Sequence, residues 1–265
     1  MTASHPSVTP SQWLARLAGA NEDSALLTIP YAGTGNAIFA GWPSMGWDGR
    51  ALWVAQLPGR DSRLRETPLD TVASLAEAIA EAVMAGPLAD RPLGLLGASF
   101  GGLVAYELAR ELARRGKSID VFFAAACRPV DRTGVTEPLA ELPDNEMVHK
   151  LRHWYGAIPD EVAANQEMLK LLLPAIRADM RAYETYQHTP GDPLPCPIYA
   201  IGGTDDQVVK LTHLDGWRSH TTGRFQSRMF AGDHFFLKTK PKPALRFMQS
   251  RLATIDINEG TSANG

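Results

Sequence analysis

The sequence predicts an α/β fold in which helices cover both faces of a mostly parallel sheet. Short apolar runs that suit buried strands alternate along the chain with segments whose apolar residues recur at helical spacing. One of these runs, DVFFAAAC at residues 120–127, is almost continuously apolar, as a strand buried on both faces requires. The chain has 265 residues, of which 45% are hydrophobic, and this suits one domain with a sizeable core.

The predicted elements follow one another in a regular order. Strands are expected at residues 25–30, 51–57, 92–98, 120–127, 197–203 and 224–230. Helices are expected at residues 69–84, 102–115 and 241–252. In the first helix Val72, Leu75, Ile79 and Val83 recur at helical spacing, and Gly116 ends the second helix. Such an alternation of strands and helices is typical of a parallel sheet.

One long stretch in the middle of the chain breaks the alternation, because it shows helical patterns without a convincing strand. A capping residue at Asp144, and Pro159 followed by two acids, favour the starts of two helices. Pro174 interrupts the next helical pattern, which predicts two helices or one kinked helix over residues 169–186. We interpret residues 129–190 as an inserted helical lid. The alternative is a helical subdomain that only adds core.

Composition and charge disfavour several classes of protein. A net charge of −3 gives no electrostatic basis for binding nucleic acid or an acidic membrane. No apolar run is long enough to span a bilayer and the first residues lack a signal-peptide pattern, so we expect a cytoplasmic protein. Cys127 and Cys196 are expected to be buried thiols, and nothing resembles a metal site. We expect a monomer with a single domain over residues 1–265 and flexible ends at residues 1–15 and 254–265.

The motif G-x-S-x-G occurs as GASFG at residues 97–101, between a predicted strand and a predicted helix. It resembles the nucleophile elbow of α/β-hydrolases, in which a serine is turned sharply out of a strand end. The flanking glycines allow the helix to pack close to the strand, where a Cβ atom would collide. Ser99 is therefore the candidate nucleophile, and the backbone N–H of Phe100 is a candidate oxyanion donor. The alternative, a glycine- and serine-rich turn without chemistry, is disfavoured by the flanking strand and helix.

A serine hydroxyl needs a base, normally a histidine that is oriented by a carboxylate. In this fold the carboxylate precedes the histidine along the chain. Asp205 and Asp206 both follow a predicted strand, and we favour Asp206 because it lies past the turn with an apolar residue soon after it. His234 lies in the segment GDHFF after the last predicted strand and is the candidate base. The other histidines are expected to be solvated or ordinary core residues: His5, His149, His153, His188, His213 and His220.

The turn after the first predicted strand, PYAGTGN at residues 30–36, is rich in glycine. An oxyanion hole needs a second N–H group, which in this fold comes from the turn after an early strand. Ala32 is the best candidate for this group, and Tyr31 is the next. The alternative interpretation, a phosphate-binding loop, lacks the P-loop lysine and the full G-x-G-x-x-G spacing.

Together these segments resemble the type II, stand-alone thioesterases that accompany polyketide and non-ribosomal peptide synthetases. The resemblance covers residues 25–252 and rests on IPYAG (29–33), LPGR (57–60), GASFGG (97–102), LPAIRAD (173–179), GGTDD (202–206), WRSHT (217–221) and GDHFFL (232–237). G-x-S-x-G is shared with lipases, esterases and peptidases, whereas LPGR, WRSHT and GDHFFL are more specific to this family. Where the family often has His and Met beside the serine this chain has Ala98 and Phe100, and it has Thr34 in place of a second glycine.

The resemblance implies the α/β-hydrolase fold with an inserted lid, and hydrolysis of acyl thioesters held on the phosphopantetheine arm of a carrier protein. It implies editing or release in polyketide or non-ribosomal peptide biosynthesis, with acyl or peptidyl carrier domains as partners and no cofactor beyond the partner's own arm. Ser99, His234 and Asp206 would be nucleophile, base and orienting acid, with Ala32 and Phe100 as the oxyanion hole. The alternatives are a small-molecule ester hydrolase and a carrier-binding module with little turnover.

Overall fold

A seven-stranded sheet forms the centre of the computed structural model, which describes residues 9–19, 21–132 and 137–262. The strands are β1 (Leu14–Ala18), β2 (Asn21–Ile29), β3 (Arg50–Ala55), β4 (Leu93–Ala98), β5 (Val121–Ala125), β6 (Ile198–Gly203) and β7 (Phe225–Phe230). They lie side by side in the order β1-β3-β2-β4-β5-β6-β7. Strand β1 is antiparallel to β3, and every other neighbouring pair is parallel. The mostly parallel sheet predicted from the sequence is therefore confirmed.

Helices cover both faces of this sheet. The described α-helices are α1 (Pro10–Trp13), α2 (Val72–Met84), α3 (Phe100–Arg114), α4 (Asp144–Tyr155), α5 (Asp160–Ala163), α6 (Gln166–Glu184), α7 (Leu211–Asp215), α8 (Phe236–Thr239) and α9 (Lys242–Ser262). Successive side chains of a strand point to opposite faces, and in β4 they enter two different apolar clusters. Leu95 belongs to the cluster that contains Leu75 of α2 and Val104 of α3, whereas Leu96 belongs to the cluster that contains Phe247 of α9. Helices α2 and α3 thus cover one face and α9 covers the other.

Part of the amino-terminal segment that we predict to be flexible, residues 1–15, forms regular secondary structure. Residues 1–8 lie outside the described residues, but Pro10–Trp13 forms α1 and Leu14 begins β1. The side chains of Trp13 and Leu14 are buried, and Leu14 pairs with Ala55 of β3. Backbone pairing with the sheet edge and burial of two large apolar side chains together order this short segment.

The carboxyl-terminal helix is also longer than predicted. Helix α9 continues to Ser262, past the expected end at residue 252 and through most of the segment 254–265 that we expected to be flexible. Residues 263–265 lie outside the described residues. No helix in the described parts of the chain is long and apolar enough to cross a lipid bilayer.

The predicted lid, residues 129–190, contains helices α4, α5 and α6 and no strand among its described residues, which exclude 133–136. Helix α6 runs through Pro174 as a single helix, so of the two predicted alternatives the division into two helices is wrong. A proline inside a helix removes one backbone hydrogen bond, and here the turns on either side remain helical. The helices share a small apolar core, in which Leu151 of α4 packs with Ile176 of α6.

Candidate active site

The carboxyl ends of the parallel strands form one edge of the sheet, and the three candidate catalytic residues meet there. Ser99 follows β4, Asp206 lies in the loop after β6, and His234 lies in the loop between β7 and α8. Open parallel sheets bind ligands at this edge because the loops that follow the strands converge on it. The structure thus brings together the three residues that the sequence analysis selected.

Ser99 occupies the sharp turn between β4 and α3. Its φ is 54° and its ψ is −118°, a conformation that residues other than glycine rarely adopt. The Ser99 N–H donates to the Ala125 carbonyl oxygen at 2.8 Å, which fixes the turn to the neighbouring strand β5. A Cβ atom at Gly97 would lie 2.2 Å from the carbonyl oxygen of Gly101, and one at Gly101 would lie 2.3 Å from that of Ile29. The two glycines are therefore required for the close approach that holds this turn.

A chain of two hydrogen bonds links Ser99, His234 and Asp206. Ser99 Oγ lies 2.9 Å from His234 Nε2, and His234 Nδ1 lies 2.8 Å from Asp206 Oδ2. An ionised carboxylate only accepts hydrogen bonds, so the proton between His234 and Asp206 belongs to Nδ1. In the neutral imidazole Nε2 then carries no proton and can accept from the Ser99 hydroxyl. An imidazole in this geometry is placed to remove the hydroxyl proton.

The Asp206 carboxylate is fixed by its own loop. Its side chain is 0% exposed, and its Oδ1 accepts from the N–H groups of Val208 at 2.8 Å and Val209 at 3.0 Å. Burial by itself raises the pKa of this carboxyl, but the hydrogen bond and charge of His234 and the two N–H groups outweigh burial and hold the pKa below its ordinary value. Asp206 is therefore ionised at neutral pH. The competing residue Asp205 is exposed, so the geometry selects Asp206.

Ala32 and Phe100, the two residues predicted to supply backbone N–H groups, lie at the cavity beside Ser99. Phe100 is the first residue of α3, so its N–H has no acceptor within the helix. Ala32 lies in a turn that is closed by a hydrogen bond of 3.1 Å from the Thr34 N–H to the Tyr31 carbonyl oxygen. Ala32 and Phe100 line the same cavity as Ser99. Their role as oxyanion donors stays a prediction.

The cavity lined by Ser99 has a volume of about 70 Å³, and the helices of the predicted lid form one of its walls. Tyr155 of α4 and Met180 of α6 contribute to this wall. A second cavity of about 550 Å³ has a more polar lining, which includes Glu184. The two cavities share the lining residues Arg128, Tyr155, Met180, Tyr183 and Val208. A small apolar space beside the serine therefore adjoins a larger and more polar one.

Tyr155 is a site residue that the sequence analysis missed. Its ring centroid lies 5.3 Å from that of His234, and the rings of Tyr31 and Phe235 lie at 5.6 and 5.4 Å from the same imidazole. Burial raises the pKa of the Tyr155 hydroxyl, which therefore stays protonated at neutral pH. No local motif marks Tyr155, because only the packing of α4 over the sheet edge brings it to His234.

His220 and the two cysteines take no part in the hydrogen-bonded chain from Ser99 to Asp206. His220 is buried with its Nε2 3.0 Å from Asp131 Oδ1, and His5 lies outside the described residues. Cys127 and Cys196 are both buried, as predicted. Cys127 lines the Ser99 cavity, but burial raises the pKa of its thiol and so keeps it unreactive. Within residues 9–19, 21–132 and 137–262, no group of three or more His, Cys, Asp or Glu side chains is placed to hold a metal ion.

The α/β-hydrolase fold is defined by a mostly parallel sheet with a serine in the sharp turn after β4 and with the acid and histidine after later strands. The structure has these features, and the predicted fold class is confirmed. Comparison with known families narrows the class further. The thioesterase domain family matches residues 24–252, so the chain belongs to the thioesterase family.

Individual relatives agree with this assignment. The chain is 34% identical over 245 residues to the gramicidin S biosynthesis protein GrsT of Aneurinibacillus migulanus. This alignment covers 89% of this chain and 93% of GrsT. The structure of RedJ, a thioesterase from the prodiginine biosynthetic pathway in Streptomyces coelicolor, is 32% identical, with a TM-score of 0.80 over 96% of this chain and 95% of RedJ. The structure of YbtT, the type II thioesterase from the yersiniabactin NRPS/PKS biosynthetic pathway, is 26% identical, with a TM-score of 0.83 over 92% of this chain and 99% of YbtT. The resemblance to type II thioesterases is confirmed.

Proposed function

We propose that this protein hydrolyses acyl thioesters on the phosphopantetheine arms of acyl or peptidyl carrier domains, as an editing or releasing enzyme of polyketide or non-ribosomal peptide biosynthesis. The observation that carries the proposal is the hydrogen-bonded chain from Ser99 through His234 to Asp206 in a protein of the thioesterase family. The likeness to YbtT, a type II thioesterase from such a pathway, supports the choice of substrate class.

In the first half of the proposed reaction, Ser99 takes the acyl group from the thioester. His234 Nε2 removes the hydroxyl proton as Ser99 Oγ bonds to the carbonyl carbon. The carbonyl oxygen becomes an oxyanion, which the N–H groups of Ala32 and Phe100 stabilise. When the carbon–sulfur bond breaks, the proton on Nε2 passes to the pantetheine sulfur, and the thiol leaves.

In the second half, water releases the acyl group from Ser99. His234 Nε2 takes a proton from the water molecule as its oxygen bonds to the acyl carbon, and the same N–H groups hold the second oxyanion. The bond to Ser99 Oγ then breaks and the proton returns from Nε2 to that oxygen. Throughout, the ionised Asp206 keeps His234 in the tautomer with its proton on Nδ1 and stabilises the transient imidazolium.

The two adjoining cavities suit the two parts of the proposed substrate. The cavity of about 70 Å³ beside Ser99 suits a short acyl chain, and the polar cavity of about 550 Å³ suits the amide groups of the arm. Helices α4 to α6 would act as the lid over both. The nucleophile, the base and the oxyanion donors all belong to one chain, so we propose that a monomer is active and that no metal or redox cofactor is needed.

The direct test uses a panel of acylated carrier domains and reads loss of the acyl group by intact-protein mass. We expect Ser99→Ala to lower kcat by at least about 10³-fold, because the nucleophile is lost while the fold is kept. Ser219→Ala, which removes an exposed hydroxyl that lines neither of the two cavities, is the matched control and should leave kcat unchanged. A Ser99→Ala variant that retains more than a few per cent of wild-type turnover would contradict the proposal.

The same panel separates the proposal from its alternatives. One acyl group should be presented as a carrier-bound thioester and as a small oxygen ester. A strong preference for the oxygen ester would indicate a small-molecule esterase. Binding of the carrier without turnover of any thioester would indicate a binding module.

A further inference from the structure

The family-specific segment LPGR at residues 57–60 has no part in the mechanism above, yet its arginine is buried. Arg60 forms an ion pair with Asp179 of α6, and the two side chains are 5% and 0% exposed. Arg60 Nη1 donates to Asp179 Oδ2 at 2.6 Å, and Nη2 donates to Oδ1 at 2.9 Å. A buried ion pair contributes little net stability relative to apolar side chains of similar volume, because both charges must be removed from water. Stability alone therefore does not account for this pair.

Asp179 makes a third contact, and this one leads to the active site. The Gly33 N–H donates to Asp179 Oδ2 at 2.7 Å. Gly33 has a φ of 66°, and a Cβ atom there would lie 2.2 Å from Ile176 Cγ1. The turn that contains Ala32 therefore rests directly on helix α6 and is tied to it by a hydrogen bond to a buried carboxylate.

The loop after β3 holds the same turn from a second side. Arg60 Nη1 also donates to the Thr34 carbonyl oxygen at 3.3 Å. The neighbouring residue Asp61 accepts from the Asn36 N–H through Oδ2 at 2.7 Å. Arg60 and Asp61 thus hold the distal part of the turn, while Asp179 holds Gly33.

We infer that Arg60 and Asp179 are positioning residues, whose ion pair aims the Ala32 N–H at the oxyanion that forms on the Ser99 adduct. The peptide between Ala32 and Gly33 is planar, so fixing the Gly33 N–H fixes the orientation of that peptide and limits the rotation of Ala32. The inference rests on the proposed function, since Ala32 matters only if its N–H stabilises an oxyanion. It also links the lid to the chemistry, because Met180, the next residue of α6, lines the Ser99 cavity.

The first test variant is Asp179→Asn, which keeps the shape of the side chain. The amide leaves one acceptor oxygen for three donors, the two Arg60 nitrogens and the Gly33 N–H. Complete loss of an oxyanion donor lowers kcat by about 10²- to 10³-fold, so we expect a misdirected one to lower kcat by about 10- to 100-fold. KM should stay within about threefold of wild type, because the oxyanion exists only after attack.

A double variant separates positioning from a structural role. In Arg60→Met/Asp179→Leu the buried charges are replaced by apolar side chains, which restores much of the stability that a broken pair loses. We expect its Tm to return towards wild type while kcat stays low, because leucine cannot accept from Gly33. Recovery of kcat together with Tm would overturn the inference.

Two further variants keep the test decisive if the double variant does not fold. Arg60→Lys keeps a charge beside Asp179 and leaves the Gly33 hydrogen bond available, so its kcat should exceed that of Asp179→Asn by at least about threefold. Asp120→Asn breaks the buried pair with Arg50, whose Nη1 lies 2.6 Å from Asp120 Oδ2 at the opposite edge of the sheet. It should lower Tm and leave kcat within about twofold. Equal losses of kcat in Asp179→Asn and Asp120→Asn would overturn the inference.

The rate at which an alkyl fluorophosphonate labels Ser99 can be measured without any thioester substrate. This rate distinguishes failure of the inference from failure of the proposed function. With an alkyl fluorophosphonate, Ser99 Oγ bonds to phosphorus, fluoride leaves, and His234 takes the hydroxyl proton, while the phosphoryl oxygen gains charge in the oxyanion hole. If the wild-type protein is labelled at Ser99 but cleaves no carrier thioester, the proposed function fails and the labelling rates still test the ion pair. We expect Asp179→Asn to be labelled at least about tenfold more slowly than wild type. A lowered Tm with an unchanged labelling rate would overturn the inference.

Discussion

Two buried histidines in the described part of the chain are paired with aspartates, and their surroundings differ. His234 Nδ1 lies 2.8 Å from Asp206 Oδ2, and His220 Nε2 lies 3.0 Å from Asp131 Oδ1. The second nitrogen of His234 faces the Ser99 hydroxyl in a cavity. The second nitrogen of His220 lies 3.5 Å from a tyrosine hydroxyl among the rings of Tyr106, Trp217 and His188.

The difference shows that a histidine–aspartate pair does not by itself define a catalytic site. Burial raises the pKa of the Tyr106 hydroxyl, so it remains protonated, and at 3.5 Å its hydrogen bond to His220 is weak. Asp131 is 41% exposed, whereas Asp206 is fully enclosed. Around His234 the chain adds a strained serine, a cavity and two backbone N–H groups. We therefore predict that the His234–Asp206 pair supports catalysis and that the His220–Asp131 pair supports packing.

The largest expected difference is between His234→Ala and His220→Ala. Loss of the base should lower kcat by at least about 10⁴-fold, and it should also lower the free energy of unfolding, because the buried Asp206 carboxylate loses its partner. Loss of His220 should lower the free energy of unfolding by about 1–3 kcal/mol, through lost packing and an unpaired polar neighbour, and leave kcat within about threefold. Steady-state turnover and urea denaturation of both variants measure the two effects. A comparable loss of kcat in His220→Ala would contradict the prediction that only the His234–Asp206 pair supports catalysis.

The aspartates should differ almost as strongly. Asp206→Asn replaces a carboxylate that only accepts by an amide that can donate to His234 Nδ1 and favour the other tautomer, and we expect kcat to fall by about 10³- to 10⁴-fold. The matched variant Asp131→Asn should change kcat by less than about threefold. Both are read from single-turnover deacylation of a carrier thioester. If Asp206→Asn kept more than a tenth of wild-type kcat, the orienting role of Asp206 would be wrong.

A substitution of Met180 tests whether the cavity beside Ser99 and His234 sets the acyl-chain preference. Met180→Ala enlarges the space beside Ser99, so we expect the ratio of kcat/KM for long over short acyl chains to rise about tenfold, within the range that one or two methylene groups provide. Met147→Ala is the control, because Met147 is buried in the core shared by α4 and α6. It should lower Tm without changing the ratio. A similar change of ratio in both variants would show that loosening of the lid, rather than cavity size, sets the preference.

The smallest expected effect is on stability in acid. The pKa of Asp206 in the folded protein lies below its ordinary value of 3.8, so its contribution to stability is present above that value and is lost as the pH falls through the folded pKa. Asp206→Asn lacks this contribution. The difference in unfolding free energy, wild type minus variant, should therefore be largest at about pH 5–7 and decrease below about pH 4. Urea denaturation of both proteins between pH 3 and pH 7 measures it, and a difference independent of pH would contradict the pKa direction.

Much of this arrangement could be predicted from local patterns. The apolar run at residues 120–127 contains β5, and the GASFG segment is the turn that holds Ser99 at a φ of 54°. The order of Ser99, Asp206 and His234 along the chain follows from their positions after the ends of β4, β6 and β7. Each of these signals lies within a few residues, where steric limits and hydrophobic periodicity act directly on the backbone.

Other features could not be predicted because they depend on contacts between distant residues. Strand β1 is short, and its position depends on the free edge of β3. Helix α6 continues through Pro174, where the local pattern left open two helices or one kinked helix. Tyr155 reaches His234 only after α4 folds over the sheet edge. In each case packing or pairing with another element outweighs the local preference.

The sequence by itself determined the class of fold, the strained serine and the identity of the residues that follow the strands, since these depend on residue type and short-range spacing. The tertiary structure decided which aspartate pairs with His234, how large the cavity is, and that Arg60 and Asp179, 119 residues apart, join at the turn beside Ser99. The physical reason is that hydrogen bonds and ion pairs depend on distances of a few ångströms, and for residues far apart along the chain only the packed fold sets such distances.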